Sequence, residues 1–277
     1  MPEPVILYRD CPDWRSEGAS AGGHFQCLNS RVLCKDALVI ARYSALPEYQ
    51  ELERDLRYLN STLINSYQQH LYIADLQNWY YDLQDLTPRT WSDGNFHLVP
   101  EEGPFVLKGA TNSRKYSWDT HMWAKNKREA IEVHTRLCED GLIGNQGVYI
   151  RRYVPLETLM VGLRGLPITR EYRFFVYKRQ ILSGGFYWSS HTYELSTMNV
   201  DVDPNEVPRE FLQKVISKIQ NTEICEPPTF YVIDVAKTTS GEWIVIELND
   251  GQMSGLSENS AETLYSNLWK CLLSDLV

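Results

Sequence analysis

The sequence predicts an α+β protein, with a small α/β unit over residues 1–100 and a larger unit of antiparallel strands and helices over residues 104–277. Three observations predict it. Near the N-terminus, two short apolar runs, PVILY (4–8) and ALVIARY (37–43), alternate with polar loops and lead into a helical pattern. Further on, paired apolar runs follow one another with no room for a helix between them: EYRFFVYK (171–178) with QILSGGFYW (180–188), and FYVIDVA (230–236) with EWIVIELN (242–249). Composition also fits, since 277 residues with 43% hydrophobic and 23% charged can bury a core.

Composition excludes several classes. No apolar run approaches the ~18 residues of a membrane-spanning helix. The opening MPEPVILYRD has neither the basic start nor the apolar stretch of a secretory signal. A net charge of -9 argues against a general nucleic-acid binder. The six cysteines form no CxxC pair and read as reduced thiols of a cytoplasmic protein. The six histidines show no HExxH-type spacing, and none is assigned a catalytic or metal role.

The elements follow in order. Between the first two strands, EGASAGGH (17–24) lacks the glycine order of a phosphate loop and reads as plain loop. A helix then starts near Pro47, with Ser44 as its cap and Leu46, Tyr49, Leu52, Leu56 and Leu59 at helical spacing. Residues 87–103, with Pro88, Gly94, Pro100 and Gly103, read as a linker. PFVLKG (104–109) is a strand ending in Lys108, followed by a polar loop over 110–120. Asn126 caps the next helix with Glu129 as a capping box, and Ile131, His134, Leu137 and Cys138 run along it to Gly141. GVYIRRYVPLE (147–157) is a strand stopped by Pro155. After the 171–188 meander, a helix over 208–221 turns Phe211, Leu212, Val215 and Ile219 inward. The last helix, residues 259–276, packs Leu264, Leu268 and Leu272.

Charge is unevenly divided. Residues 104–182 carry 14 Lys+Arg and 7 Asp+Glu, against 13 and 29 in the remainder. A cationic middle in an acidic chain suits a pocket for a small polyanion, although Lys125, Lys127 and Arg128 read as a solvated helix face.

The C-terminal hairpin carries the most chemistry. In WIVIELND, Ile244, Ile246 and Leu248 alternate with Val245, Glu247 and Asn249. With a four-residue loop, residues 239–242, Asp234 falls opposite Glu247. Two facing carboxylates repel, and apolar neighbours raise the cost. Either a bridging cation holds them, with Asn249 as a third hard oxygen donor suited to Mg²⁺, or the face is solvated. Lys108 ends a strand before Gly109 and a polar loop, a placement that can reach phosphate but that many strands share. Glu171 and Arg173 share a strand face, and Arg173 is either paired within the fold or aimed at an anion. Arg170 and Lys237 lie just outside the strands and could add donors.

A strand lysine, a loop, a strand ending in proline with a glutamate after it, an EYR strand and then D…ExN on a hairpin resemble the ATP-grasp superfamily. The likeness is to its divergent clade named for two arginines and one lysine, which includes the eukaryotic assembly chaperone of translation initiation factor 2 and many bacterial and phage proteins. It spans residues 104–268 and rests mainly on REYRFFVYKRQILSGG and FYVIDVAKTTSGEWIVIELNDGQMSGL. The resemblance implies an ATP-grasp fold with two α+β subdomains, residues 104–154 and 155–277, sandwiching ATP. It implies that Lys108 contacts the phosphates and Lys115 closes over them. It implies that the backbone of Arg152, Tyr153 and Val154 binds adenine and that Glu157 takes the ribose. It implies that Arg173, with help from Arg170 and Lys237, meets the phosphate or phosphorylated intermediate, and that Asp234, Glu247 and Asn249 hold Mg²⁺. The loop ATNSRKYSW departs from the family's glycine-rich pattern and offers Ser113, Arg114 and Lys115 instead.

The function implied is an ATP- and Mg²⁺-dependent carboxylate–amine ligase that acts through an acyl phosphate on a peptide, protein or small metabolite. The absence of a Ser/His/Asp or Cys/His set agrees, since this chemistry needs no side-chain nucleophile. The alternative is an ATP-binding assembly chaperone with little turnover. A nucleic-acid ligase is disfavoured by the lack of a KxDG-like motif and of a basic tract. Expected partners are ATP and the carboxylate and amine substrates, with neither membrane nor nucleic acid.

Overall fold

The computed structural model describes residues 2–45 and 47–275, apart from the side chains of residues 12, 13, 15 and 16. Leu46 and Leu276, which the sequence puts on helices, fall outside the described residues.

The N-terminal part is built on a parallel sheet. β1 (Glu3–Tyr8), β2 (Gln26–Leu28), β3 (Ala37–Arg42) and β4 (Thr62–Leu63) lie in the order β2-β1-β3-β4. Parallel neighbours need crossovers, and two helices supply them. α1 (Pro12–Gly22) occupies the stretch read as a loop. Pro12 starts it, and Gly18 leaves room for the Trp14 ring, which a Cβ would meet at 2.9 Å. α2 (Tyr49–Tyr58) buries Tyr49, Leu52 and Leu56. Its N-cap is Glu48, with no side-chain cap bond, and not Ser44. α3 (Tyr67–Ala74), closed by a Ser66–Gln69 capping box, and α4 (Leu76–Leu83) leave this sheet and pack into the C-terminal core through Tyr72, Ile73, Leu76, Trp79 and Leu83.

A second, antiparallel sheet follows in the order β5-β8-β6-β7: β5 (Thr90–Trp91), β6 (Glu102–Gly109), β7 (Trp123–Asn126) and β8 (Val148–Arg152). The stretch read as a linker thus contributes edge strand β5. α5 (Lys127–Cys138) covers this sheet with Ala130, Val133 and Leu137, so Ile131 and Cys138 are exposed and not inward. Asn126 caps α5 as expected, but the Glu129 carboxylate accepts from the Lys125 N–H and leaves the capping box half made.

The third sheet carries the chemistry. A short hairpin, β9 (Thr158–Val161) and β10 (Pro167–Thr169), leads to β11 (Glu171–Tyr177) and β12 (Gln180–Phe186). α6 (Thr192–Thr197) and α7 (Arg209–Gln220) precede β13 (Phe230–Lys237) and β14 (Trp243–Asp250), and α8 (Ala261–Ser274) ends the described chain. The order is β12-β11-β13-β14, all antiparallel. Strand parity divides its faces. Tyr172, Phe174, Val176, Tyr231, Ile233 and Val235 face a core shared with Leu212, Val215 and Ile219 of α7. On the other face, Phe175, Tyr177, Phe230 and Val232 pack on Leu264, Leu268 and Leu272 of α8. Each enclosed large side chain contributes about 1.5–3 kcal/mol. Further along that second face stand Glu171, Arg173 and Asp234, all buried.

The turn between Lys237 and Trp243 holds residues 238–242, one more than the four read from the sequence. A bulge at Ile246 takes up the difference, so Asp234 still faces Glu247. The bulge also breaks the alternation: Val245 and Leu248 enter the core, while Ile244, Ile246 and Glu247 turn to the cleft between the second and third sheets. Thr87 and Arg151 hold the bulge open. The Thr87 hydroxyl donates to the Val245 carbonyl at 2.7 Å, and Arg151 Nη1 donates to the Ile246 carbonyl at 2.7 Å.

Candidate functional site

Two neighbouring pockets, sharing Ser113, Lys115 and Glu247 in their walls, form the two unlike ends of the cleft. One end, about 850 Å³, is walled by Val106, Trp118, Met122, Leu166, Ile244 and Ile246, with the chain at 152–156 along its edge. The other, about 1110 Å³, is lined by Arg173, Tyr187, Asn249, His70 and Ser254.

Lys108 closes β6 and donates to Glu247 Oε1 across the cleft. Burial pushes its ammonium below the usual range, and Glu247 offsets only part of that. Glu247 is opposite: burial would raise its carboxyl, but Lys108, Lys115 and Arg173 outweigh burial and hold it at about 2. Lys115 reaches the same place from the loop after β6. Its Nζ donates to the Tyr187 hydroxyl and stands 4.0 Å from the centre of that ring and 5.1 Å from that of Trp188. Arg173 donates a two-pronged fork to Asp234, at 2.9 and 2.8 Å, and a third bond to the Gly255 carbonyl at 2.9 Å. Gly185, opposite Arg173, lets the chain at 258–259 close over it; a Cβ there would stand 2.4 Å from Asn259 N.

The remaining expected residues are placed as follows. Arg152, Tyr153 and Val154 all line the apolar end. The N–H groups of Arg152 and Tyr153 are taken by the Arg89 and Pro104 carbonyls, at 2.8 and 3.1 Å, whereas no hydrogen bond among the described residues engages the Val154 backbone. Of the loop residues, Ser113 and Lys115 line the cleft, but Arg114 turns away to pair with Asp140 at 2.7 and 2.5 Å. Glu157, Arg170 and Lys237 line neither end. Arg170 Nε donates to Glu157 Oε1 at 2.7 Å, Lys237 stands 3.6 Å from Glu157 Oε2, and Arg170 also pairs with Glu206 at 2.9 Å. The parity that aims Glu171 and Arg173 at the cleft sends Arg170 elsewhere. Backbone bonds close the same three residues into a ring: Glu157 N–H to Lys237 O, Lys237 N–H to Arg170 O, and Arg170 N–H to Glu157 O.

A family model for the ATP-grasp domain of the two-arginine, one-lysine clade, family 3, matches residues 94–268. The chain belongs to this clade of ATP-grasp proteins. Solved structures agree on the fold of this ATP-grasp chain. A RimK domain ATP-grasp protein from Sphaerobacter thermophilus DSM 20745 is 16% identical, with a TM-score of 0.55 over 95% of this chain and 98% of that one. D-cycloserine synthetase DcsG is 12% identical, with a TM-score of 0.58 over 97% and 99%. The ATP-grasp ligase PsnB, in complex with minimal precursor, Mg and ADP, is 10% identical, with a TM-score of 0.57 over 98% and 97%. No curated protein matches the chain. Among the described residues no helix is long and apolar enough to cross a membrane.

The donor set of this ATP-grasp cleft fits Mg²⁺ through oxygen atoms. Glu247 and Asn249 both open on the polar end. Asp234 is enclosed beneath Arg173, and each of its oxygens keeps a second lone pair beyond the fork. No cluster of three His, Cys, Asp or Glu side chains in metal-holding geometry occurs among the described residues, so the acidic set alone is not a closed cage.

Four groups of the cleft are not among those expected from the sequence. Arg151, one residue from Arg152, is buried in the apolar end with Nε unpartnered, and burial pushes it down to about 10. Glu171 lines the same end with Oε1 unpartnered. Its placement was legible from the parity it shares with Arg173. Tyr187 was visible only as part of an aromatic run. His70, which bonds Asp250 at 3.1 Å, comes from the N-terminal part, where no sequence motif points to the cleft.

Proposed function

We propose that this ATP-grasp protein is an ATP- and Mg²⁺-dependent carboxylate–amine ligase that works through an acyl phosphate. The observation that carries the reading is the pair of neighbouring pockets with Lys115 and Glu247 common to both, apolar along the 152–156 edge and cationic at Lys108, Lys115 and Arg173. That order suits a nucleotide with its base at one end and its phosphates at the other. In this reading adenine lies against Val106, Met122 and Ile246, with the free Val154 backbone at its polar edge. Lys108 and Lys115 neutralise phosphate charge, and Arg173, held flat by Asp234, meets the transferring phosphoryl group. Glu247 and Asn249, which line the polar end, would hold Mg²⁺, which when bound supplies charge compensation for the phosphates. Asp234, expected as a third ligand, lies enclosed beneath Arg173 and lines neither end. Arg170 and Lys237 act from behind by latching Glu157 and the hinge chain, residues 152–157 between the second and third sheets, to the third sheet.

The polar end leaves room for the second substrate beside Arg173. Its carboxylate attacks the γ-phosphorus, ADP leaves, and the acyl phosphate forms. An amine then attacks the acyl carbon and phosphate departs. The solved PsnB complex, which holds a precursor with Mg and ADP, supports a peptide among the acceptor classes.

The test is ATP turnover with product identification, using protein, Mg²⁺, ATP and pooled amino acids, polyamines or peptides. ADP release that depends on one pool is expected. AMP as product would overturn the mechanism, and tight ATP binding without turnover in any pool would favour the assembly-chaperone reading.

A further inference from the structure

Resting on the ATP reading above, we infer that Glu171, and not Glu157, takes the ribose hydroxyls of the nucleotide. The carboxylate after Pro155 is turned away from the cleft: Glu157 Oε1 accepts from Arg170, Oε2 stands 3.6 Å from Lys237, and the residue lines neither end. Glu171 is the reverse. It is 3% exposed, lines the apolar end, and its Oε1 has no partner. Its Oε2 accepts from the Thr169 hydroxyl at 3.2 Å, and that hydroxyl accepts in turn from Trp188 Nε1 at 3.4 Å. The carboxyl plane is thereby fixed, with Oε1 left as an enclosed, unpartnered oxygen in the wall of that end.

Position along the sheet agrees. Leu156 of the hinge bridges Thr238, Glu171 pairs with Ala236, and Arg173 pairs with Asp234. These three levels, at Thr238 just past β13 and at Ala236 and Asp234 on it, are two residues apart, or roughly 6–7 Å each. They run from hinge to Glu171 to Arg173, the order base, ribose, phosphate. An unpartnered buried oxygen at the middle level costs stability until a donor arrives. Ribose hydroxyls are such donors, and Lys115, which acts on Glu171 electrostatically, belongs to the phosphate level beyond it.

The experiment is titration calorimetry of ATP, 2′-deoxy-ATP and 3′-deoxy-ATP against the full chain in Mg²⁺. Wild type should bind ATP about tenfold more tightly than at least one deoxy analogue. Glu171→Met should bring that ratio close to one, and Glu157→Gln should preserve it. Glu171→Ala serves in the same role should the methionine variant not fold. Loss of the ratio in Glu157→Gln, its retention in the Glu171 variants, or equal binding of all three nucleotides by wild type would overturn the inference while leaving the ATP reading intact. Failure of wild type to bind any of them would overturn both.

Discussion

The third sheet takes part in two ion networks built from the same residue types, and they differ in enclosure. Toward the cleft, Arg173–Asp234 and Lys108–Glu247 are almost wholly shielded, with Asp234 at 0% side-chain exposure and Lys108 at 7%. Behind the hinge, Arg170 and Lys237 share Glu157, whose side chain is 36% exposed. Enclosed charges feel each other strongly and suffer when a partner is lost; exposed ones are screened by water. The cleft network is therefore positioned to respond to an arriving polyanion, and the hinge network to fasten two pieces of chain. Residue type does not separate them. Strand parity does.

The sharpest way to break this comparison is Asp234→Ala. It leaves the Arg173 guanidinium enclosed without its fork and should cost about 3–5 kcal/mol in denaturant unfolding. A cost under about 1 kcal/mol would mean that water reaches the pair, and the two networks would be alike.

Next comes pH. Burial pushes Glu171 up to about 7 from an ordinary 4.5. The folded state thus keeps a proton that the unfolded state loses between those values, so unfolding free energy falls as pH rises through that window. The contribution is on the order of 3 kcal/mol, and Glu171→Gln should flatten it. Glu247, depressed to about 2, acts in the opposite sense: its stabilisation is present above about 4.5 and is lost as pH falls toward 2. Melting temperatures from pH 4.5 to 8 for wild type and Glu171→Gln test the first part, and parallel curves would contradict it.

Thr87→Val removes the hydroxyl that holds the Ile246 bulge and accepts from Arg151 Nη2 at 2.7 Å. A loss of about 1–2 kcal/mol is expected by denaturant titration. The smallest effect is Glu157→Gln, at about 1 kcal/mol or less in the same assay, because the backbone ring through Arg170 and Lys237 stays closed.

Much of the site was legible because its chemistry is local. Lys108 at a strand end, Glu247 and Asn249 two apart on one strand, and Arg173 among aromatics all needed only period-two alternation. The facing of Asp234 and Glu247 was legible as well, although the turn is longer than read and the bulge compensates. What sequence did not carry is what non-local packing decides. The glycines and serines of 17–24 look like a loop until Trp14 and the parallel crossover require a helix. The inner face of α5 turned on Ala130 and Val133, which are less conspicuous than Ile131. Arg170 and Lys237 look like cleft donors because they flank the right strands, and only the packing of the 155–157 chain against them shows that they bond Glu157 instead.

Phosphates at Lys108 with the base away from it make the two ends of the cleft separable by ligand. Calorimetry of ATP and of adenosine, in Mg²⁺, with wild type and Lys108→Ala separates them. The variant should lose at least tenfold in ATP affinity while adenosine binds as before. Equal weakening of both ligands, or no change in either, would contradict this placement.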